Sequence, residues 1–163
     1  MEAPEEITVN MGMYEVRKTD CVLICLGIGS CIALVIYDHF NQVYGMAHVM
    51  LPEYVEGMKT TNTNKYANIA IPNMINDMVA KGAEKGHLKA KMAGGAHMFA
   101  SVAAGETSIS TKNVNAVRKA LENERIPLAA EDTGGNMGRT IRFDTTAEEF
   151  KIIIRSKGTE KVL

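Results

Sequence analysis

The stretch from Cys21 to Leu51 constrains this chain more than any other, because it is densely apolar and yet punctuated twice. Cys21-Val22-Leu23-Ile24-Cys25-Leu26 is a short continuous apolar run, which predicts a buried strand. It ends in Gly27-Ile28-Gly29-Ser30, where two glycines permit a sharp backbone turn. Cys31 to Tyr37 reads as a second strand and Val43 to Leu51 as a third, joined by the polar stretch Asp38-His39-Phe40-Asn41-Gln42. Two such runs with a short polar loop between them are a hairpin signal.

The register of that hairpin bears directly on chemistry. If the loop is four residues and Tyr37 faces Gln42, counting back sets Cys31 directly opposite His48. Opposed residues project from one face of a sheet, with Cβ atoms about 4.5–5.5 Å apart. A slip of a single residue would send the two side chains to opposite faces.

Further along, Ala67, Ala70, Ile71, Met74, Ile75, Met78 and Val79 have the spacing of one apolar helix face, with Gly82 as the stop. Pro72 inside this pattern predicts either a start near Ile71 or a kink. Leu88 to Met92 reads as a short strand running into Gly94-Gly95. Val114, Val117, Ala120 and Leu121 mark a second helix capped by Ser110 or Thr111. Segments 128–131, 139–144 and 150–154 read as strands packing with the hairpin against the two helices, an α/β (α+β) layered domain. No repeat or linker divides the 163 residues, so 1–163 is kept as one domain.

Composition narrows function by exclusion. With 18 basic and 19 acidic residues the net charge is -1, which gives no global reason to expect nucleic acid or an anionic membrane surface as partner. No run approaches about 18 apolar residues, so membrane insertion is not expected. The start, Met1-Glu2-Ala3-Pro4-Glu5-Glu6, lacks the basic and apolar regions of a secretory signal. Three cysteines, an odd number, do not suit a disulfide framework, and the expected compartment is the reducing cytoplasm.

A cysteine in an apolar run is more often inert core than nucleophile, and Cys21 and Cys25 fit that plain role. Cys31 differs because it directly follows Gly29-Ser30, where a tight turn can leave backbone N–H groups free to lower a thiol pKa or bind an oxyanion. His48 is polar among apolar neighbours, and alone it would read as a core histidine bonded to a carbonyl. Across a hairpin from Cys31 it becomes a base for a thiol that, unassisted, is only a few per cent ionised at neutral pH. The CxxxC and CxxxxxC spacings are not those of zinc ribbons or fingers, and extended backbone sets Cys21 and Cys25 too far apart for one ion, so no metal is expected. Gly27-Ile28-Gly29 lacks the third glycine and the following helix of a dinucleotide fingerprint. His39, His87 and His97 have no partner at ligand spacing, while Arg139 and Asp132, in a second glycine-rich turn, are candidates to brace the site.

At this point an ordered set of motifs resembles a known family. GIGSC at 27–31, Tyr37-Asp38, GMAHVMLP at 45–52, KYA at 65–67, AGGAHMF at 93–99 and EDTGGNMGR at 131–139 are similar to the successive blocks of CheD proteins, over about residues 10–155. The resemblance implies hydrolysis of particular glutamine side-chain amides on the cytoplasmic helical bundle of chemoreceptors, giving glutamate and ammonia in chemotaxis adaptation. The implied fold is a layered α/β/β sandwich of mixed sheets with about two main helices, similar to the catalytic domain of cytotoxic necrotizing factor toxins. Cys31 is then the nucleophile and His48 its base, with Gly29 and Ser30 supporting the turn or an oxyanion, and no cofactor is required. The family's third polar residue, a threonine six positions before the nucleophile, falls on Cys25, a weaker hydrogen-bonding group. The block that usually reads IGxRN is Ile109-Ser110-Thr111-Lys112-Asn113, and its lysine lacks arginine's planar fork.

Members of that family also bind a CheC-type phosphatase, which implies a second reading: an adaptor that binds receptors and regulates the phosphatase with little or no catalysis. A third reading, a thiol amidase for small amides, predicts turnover of free glutamine. Met46, Met50, Met92 and Met98 lie near the site blocks, where soft side chains suit a partner helix, although core filling is the commoner role.

Overall fold

The computed structural model describes residues 2–98 and 108–163, so Phe99, the last residue of the AGGAHMF block, lies outside the described residues. Ten strands form two mixed five-stranded sheets, and two long helices cover one of them. The first sheet joins β1 (Glu5–Thr8), β3 (Cys21–Ile28), β8 (Arg139–Asp144), β9 (Glu149–Ile154) and β10 (Thr159–Val162) in that order, with β1 parallel to β3. The second joins β2 (Tyr14–Arg17), β5 (Val43–Val49), β4 (Ile32–Asp38), β6 (Lys89–Gly94) and β7 (Leu128–Thr133), with β6 and β7 parallel. This is the layered α/β/β sandwich. One expectation is corrected: β8 and β9 do not join the hairpin but extend from β3 in the opposite sheet.

Two apolar layers follow from strict alternation along β4 and β5. Leu34, Ile36, Ala47 and Val49 face the helices, while Val35, Tyr44 and Met46 face the other sheet, where they meet Leu23, Phe143 and Phe150. The first helix, α1 (Ala67–Ala80), buries Ala67, Ala70, Ile71, Met74, Ile75 and Met78, whereas Val79 is exposed. It begins before Pro72 and carries that residue inside it, so the expected start near Ile71 is not observed. The helix lies so close on β5 that a Cβ at Gly45 would sit 2.9 Å from the Met74 sulfur. The second helix, α2 (Ile109–Asn123), is capped by Ser108, whose side chain accepts from the Thr111 N–H. The expected cap, Ser110 or Thr111, is two or three residues too late: both lie inside the helix, and Ser110 donates to the Ala96 carbonyl at 2.7 Å. No helix among the described residues is long and apolar enough to cross a membrane.

The hairpin register also differs from expectation, and Asp38 is the reason. Its carboxylate is wholly buried and accepts from the Asn41 N–H at 3.0 Å, the Asn41 side chain at 2.8 Å and the Glu84 N–H at 2.9 Å. The loop therefore closes on the Asp38–Val43 pair, with Gln42 in the left-handed region at φ 53°, and Tyr37 faces Tyr44 rather than Gln42. Burial pushes the Asp38 carboxyl up, but its hydrogen bonds and the nearby His87 outweigh this and leave it below the usual range. A depressed carboxyl contributes stability that is present above its unfolded value of about 3.9 and is lost as pH falls through the folded value. Replacing Asp38 with alanine should lower unfolding free energy by about 3 kcal/mol, read as a reduced urea midpoint with unchanged m-value.

Candidate active site

The site lies where the chain passes from one sheet to the other. Strand β3 ends at Ile28 in the first sheet and β4 begins at Ile32 in the second, so Gly29, Ser30 and Cys31 form the crossing. A bulge between Cys25 and Ile28, with Gly27 at φ 59°, turns the end of β3 toward it. Cys31 is half-buried against the inter-sheet cluster, on the side of Ala33 and Val35. His48 follows Tyr44 and Met46 on that same face of β5. The observed register pairs His48 with Ala33 rather than Cys31. A shift of two residues preserves the face, so Cys31, just before β4, and His48 lie on the same inter-sheet side without being a directly opposed pair.

His48 is held by more than its strand. Its Nδ1 lies 3.0 Å from the Val9 carbonyl, which must accept, so the hydrogen sits on Nδ1 and Nε2 is left as the basic nitrogen. Val9 in turn donates its N–H to the Ile24 carbonyl of the opposite sheet at 2.7 Å. The backbone of His48 is clamped as well, donating to Met13 O and accepting from Gly12 N–H, each at 3.0 Å. The plain reading of a core histidine on a carbonyl is what the structure shows, and the functional reading of a base would use the other ring nitrogen. Val9 was not visible in the sequence, because a main-chain carbonyl leaves no residue signature. Cys25 makes no such contact: its wholly buried thiol lies 3.4 Å from the Met46 sulfur.

The crossing is fixed through its carbonyls. Gly29 O accepts from Ala96 N–H at 2.8 Å, Ser30 O from the Asn113 side-chain amide at 2.9 Å, and Cys31 O from Gly95 N–H at 2.9 Å. Gly94 at φ 126° makes this approach possible, since a Cβ there would fall 2.2 Å from the Cys31 oxygen. Among the described residues, none of the loop and turn hydrogen bonds uses the N–H of Ser30 or Cys31. Arg139, buried, donates to Gly94 O, Gly134 O and Asp132, so the suggested brace acts on the turn behind the crossing. Met46 and Met92 are core residues, whereas Met98 is 48% exposed.

Burial pushes the Cys31 thiol up and the His48 imidazole down, the latter only partly offset by the Val9 bond. Both shifts favour the uncharged forms, thiol and neutral imidazole, over thiolate and imidazolium. Among the described residues, no group of three or more His, Cys, Asp or Glu side chains is placed to hold a metal ion.

Comparison with known proteins gives the family. The family model for CheD, chemotactic sensory transduction, matches residues 50–154. A protein of Moorella thermoacetica named probable chemoreceptor glutamine deamidase CheD is 41% identical over 160 residues, covering 95% of this chain and 93% of its own length. One of the same name from Clostridium botulinum strain Hall is 40% identical over 159 residues, covering 97% and 98%. The chain belongs to the CheD family.

Three of the CheD blocks, scattered along the sequence, meet at the crossing, whereas Tyr37-Asp38 lies at the far end of β4. Gly94 and Gly95 of one block carry the Cys31 carbonyl, and Gly134 and Gly135 of another donate to Gly94 O and accept from His97 N–H. With burial favouring the neutral pair, native-state alkylation by iodoacetamide should label Cys31 ahead of buried Cys21 and Cys25, with an alkaline midpoint above about 8.5. A midpoint below neutrality, followed by mass mapping of the labelled peptide, would instead reveal a preformed ion pair.

Proposed function

We propose that this CheD protein hydrolyses the side-chain amide of specific chemoreceptor glutamines to glutamate and ammonia, with Cys31 as nucleophile and His48 as base, in chemotaxis adaptation. The observation that carries the reading is the shared inter-sheet face of Cys31 and His48, with the Val9 carbonyl leaving Nε2 free to take a proton. The relatives' names supply the substrate class. In the reaction, Nε2 of His48 accepts the thiol proton as sulfur attacks the amide carbon. The oxygen charge is met by the N–H groups of Ser30 and Cys31. Collapse expels ammonia with the proton returned by His48, leaving a thioester, and water then adds to release glutamate and the free thiol. Gly29 supports the turn, and Cys25 supports the site from the core behind it rather than by orienting the imidazole.

Because His48 must be neutral to act, and burial depresses its pKa in the free enzyme, the acid limb of kcat/KM should lie below the ordinary histidine value of about 6.5. The partners in this reading are the cytoplasmic receptor bundle and a CheC-type phosphatase, in the cytoplasm. The decisive experiment is mass spectrometry of a chemoreceptor cytoplasmic fragment incubated with the wild type and with Cys31→Ala. Conversion of particular glutamines by the wild type alone is expected. No conversion by either protein, with receptor or phosphatase binding retained, would leave an adaptor, and equal turnover of free glutamine would indicate a general amidase.

A further inference from the structure

Among the buried polar groups of this molecule, Asn113 has an arrangement that the described chemistry does not use. It is wholly buried on α2, and its side-chain amide donates to two carbonyls, Ser30 O at 2.9 Å and Met50 O at 3.0 Å. Ser30 immediately precedes Cys31, and Met50 lies just past the end of β5, two residues after His48. The Asn113 Oδ1 finds no partner among the described residues. Leaving a buried acceptor unpaired costs about 1–3 kcal/mol, so the amide is held against a local penalty.

The consequence lies in peptide geometry. In a trans peptide the carbonyl and the following N–H point in opposite directions. The Ser30 carbonyl is drawn toward α2, which covers the face of the second sheet away from the inter-sheet layer. The N–H of the same unit, that of Cys31, is therefore turned toward the inter-sheet side, where the Cys31 and His48 side chains project. Resting on the function proposed above, we infer that Asn113 is a positioning residue: its amide locks the Ser30–Cys31 peptide so that the Cys31 N–H faces the substrate oxygen. The second bond, to Met50, keeps the amide itself from rotating and ties the crossing to the strand of the base.

Removing this lock frees the peptide to rotate, and the loss should fall on the step that builds negative charge on oxygen. For Asn113→Ala we expect kcat for receptor-fragment deamidation to drop about 10²-fold, the scale of losing one oxyanion donor, with KM changed by less than about 3-fold. Alkylation of Cys31 by iodoacetamide is a displacement at carbon that develops no such oxyanion, so its rate and pH profile should stay near those of the wild type. Asn113→Ser, which keeps one short donor, should lie between the two and serves if the alanine variant does not fold. Thr145→Ala is the stability control, since Thr145 is a buried tie to Cys21 at the far end of β3 and should lower thermal stability without changing kcat. An unchanged kcat in both Asn113 variants overturns the inference, as does a parallel fall in kcat and alkylation. Absence of turnover by the wild type is a different result, which removes the deamidase reading and this inference with it.

Discussion

Chain continuity across two layers is the constraint on which the rest of this structure depends. Strands β3 and β4 are separated by only three residues yet belong to different sheets. Packed sheets stand about 10 Å apart, which the four Cα–Cα steps from Ile28 to Ile32 can span with slack at about 3.3–3.6 Å each. Gly29, Ser30 and Cys31 therefore cross as a run of bends, outside either ladder, and cannot satisfy their polar groups by strand pairing. The Gly94-to-Ala96 turn and α2 satisfy their carbonyls from outside, and with Asn113 as the positioning residue inferred above this turns the Cys31 N–H toward the gap. The placement of the thiol at the mouth of the gap and the direction of that N–H are two results of the same short span.

The electrostatics of the pair follow from where that span delivers it. Burial between two apolar sheets, nearly complete for His48 and partial for Cys31, disfavours both charged forms, pushing the thiol pKa up and the imidazole pKa down. Such a pair is slow toward adventitious oxidants and electrophiles, because the thiolate is the reactive species. In the reaction proposed above it would become competent when an amide carbon is presented and the proton can move as the bond forms. Charge would then appear only transiently, and the backbone donors at the crossing would carry more of the stabilisation than beside a preformed thiolate.

Much of this was legible in the sequence wherever a side chain recorded it. The apolar runs at 21–26, 31–37 and 43–51 gave three central strands within a few residues, and the face shared by Cys31 and His48 survived an error of two in the register because strand periodicity is two. Strands β1, β2 and β10 were not read: each is four residues long, and EEIT and TEKV are polar and largely exposed edges with no apolar alternation to detect. The division of strands between sheets was hidden because it depends on long-range pairing, such as that of Cys25 with Ile141. Val9 was hidden for a different reason, since it acts through its peptide carbonyl. Asn113 stood in a noted motif, but its two carbonyl partners, 83 and 63 residues away in sequence, could be seen only in the folded chain.

The hairpin closed by Asp38 limits how this protein can diverge. Its four-residue tip, His39 to Gln42, is a surface loop of the kind that usually tolerates insertion. Gaining or losing one residue there, with Asp38 still terminating β4, would either be absorbed in the loop or rotate β5 by half a period and carry His48 into the helix layer. Descendants that keep a histidine between the sheets can therefore lengthen the tip only by leaving the paired register intact, so variation in loop length and integrity of the site should be inherited together.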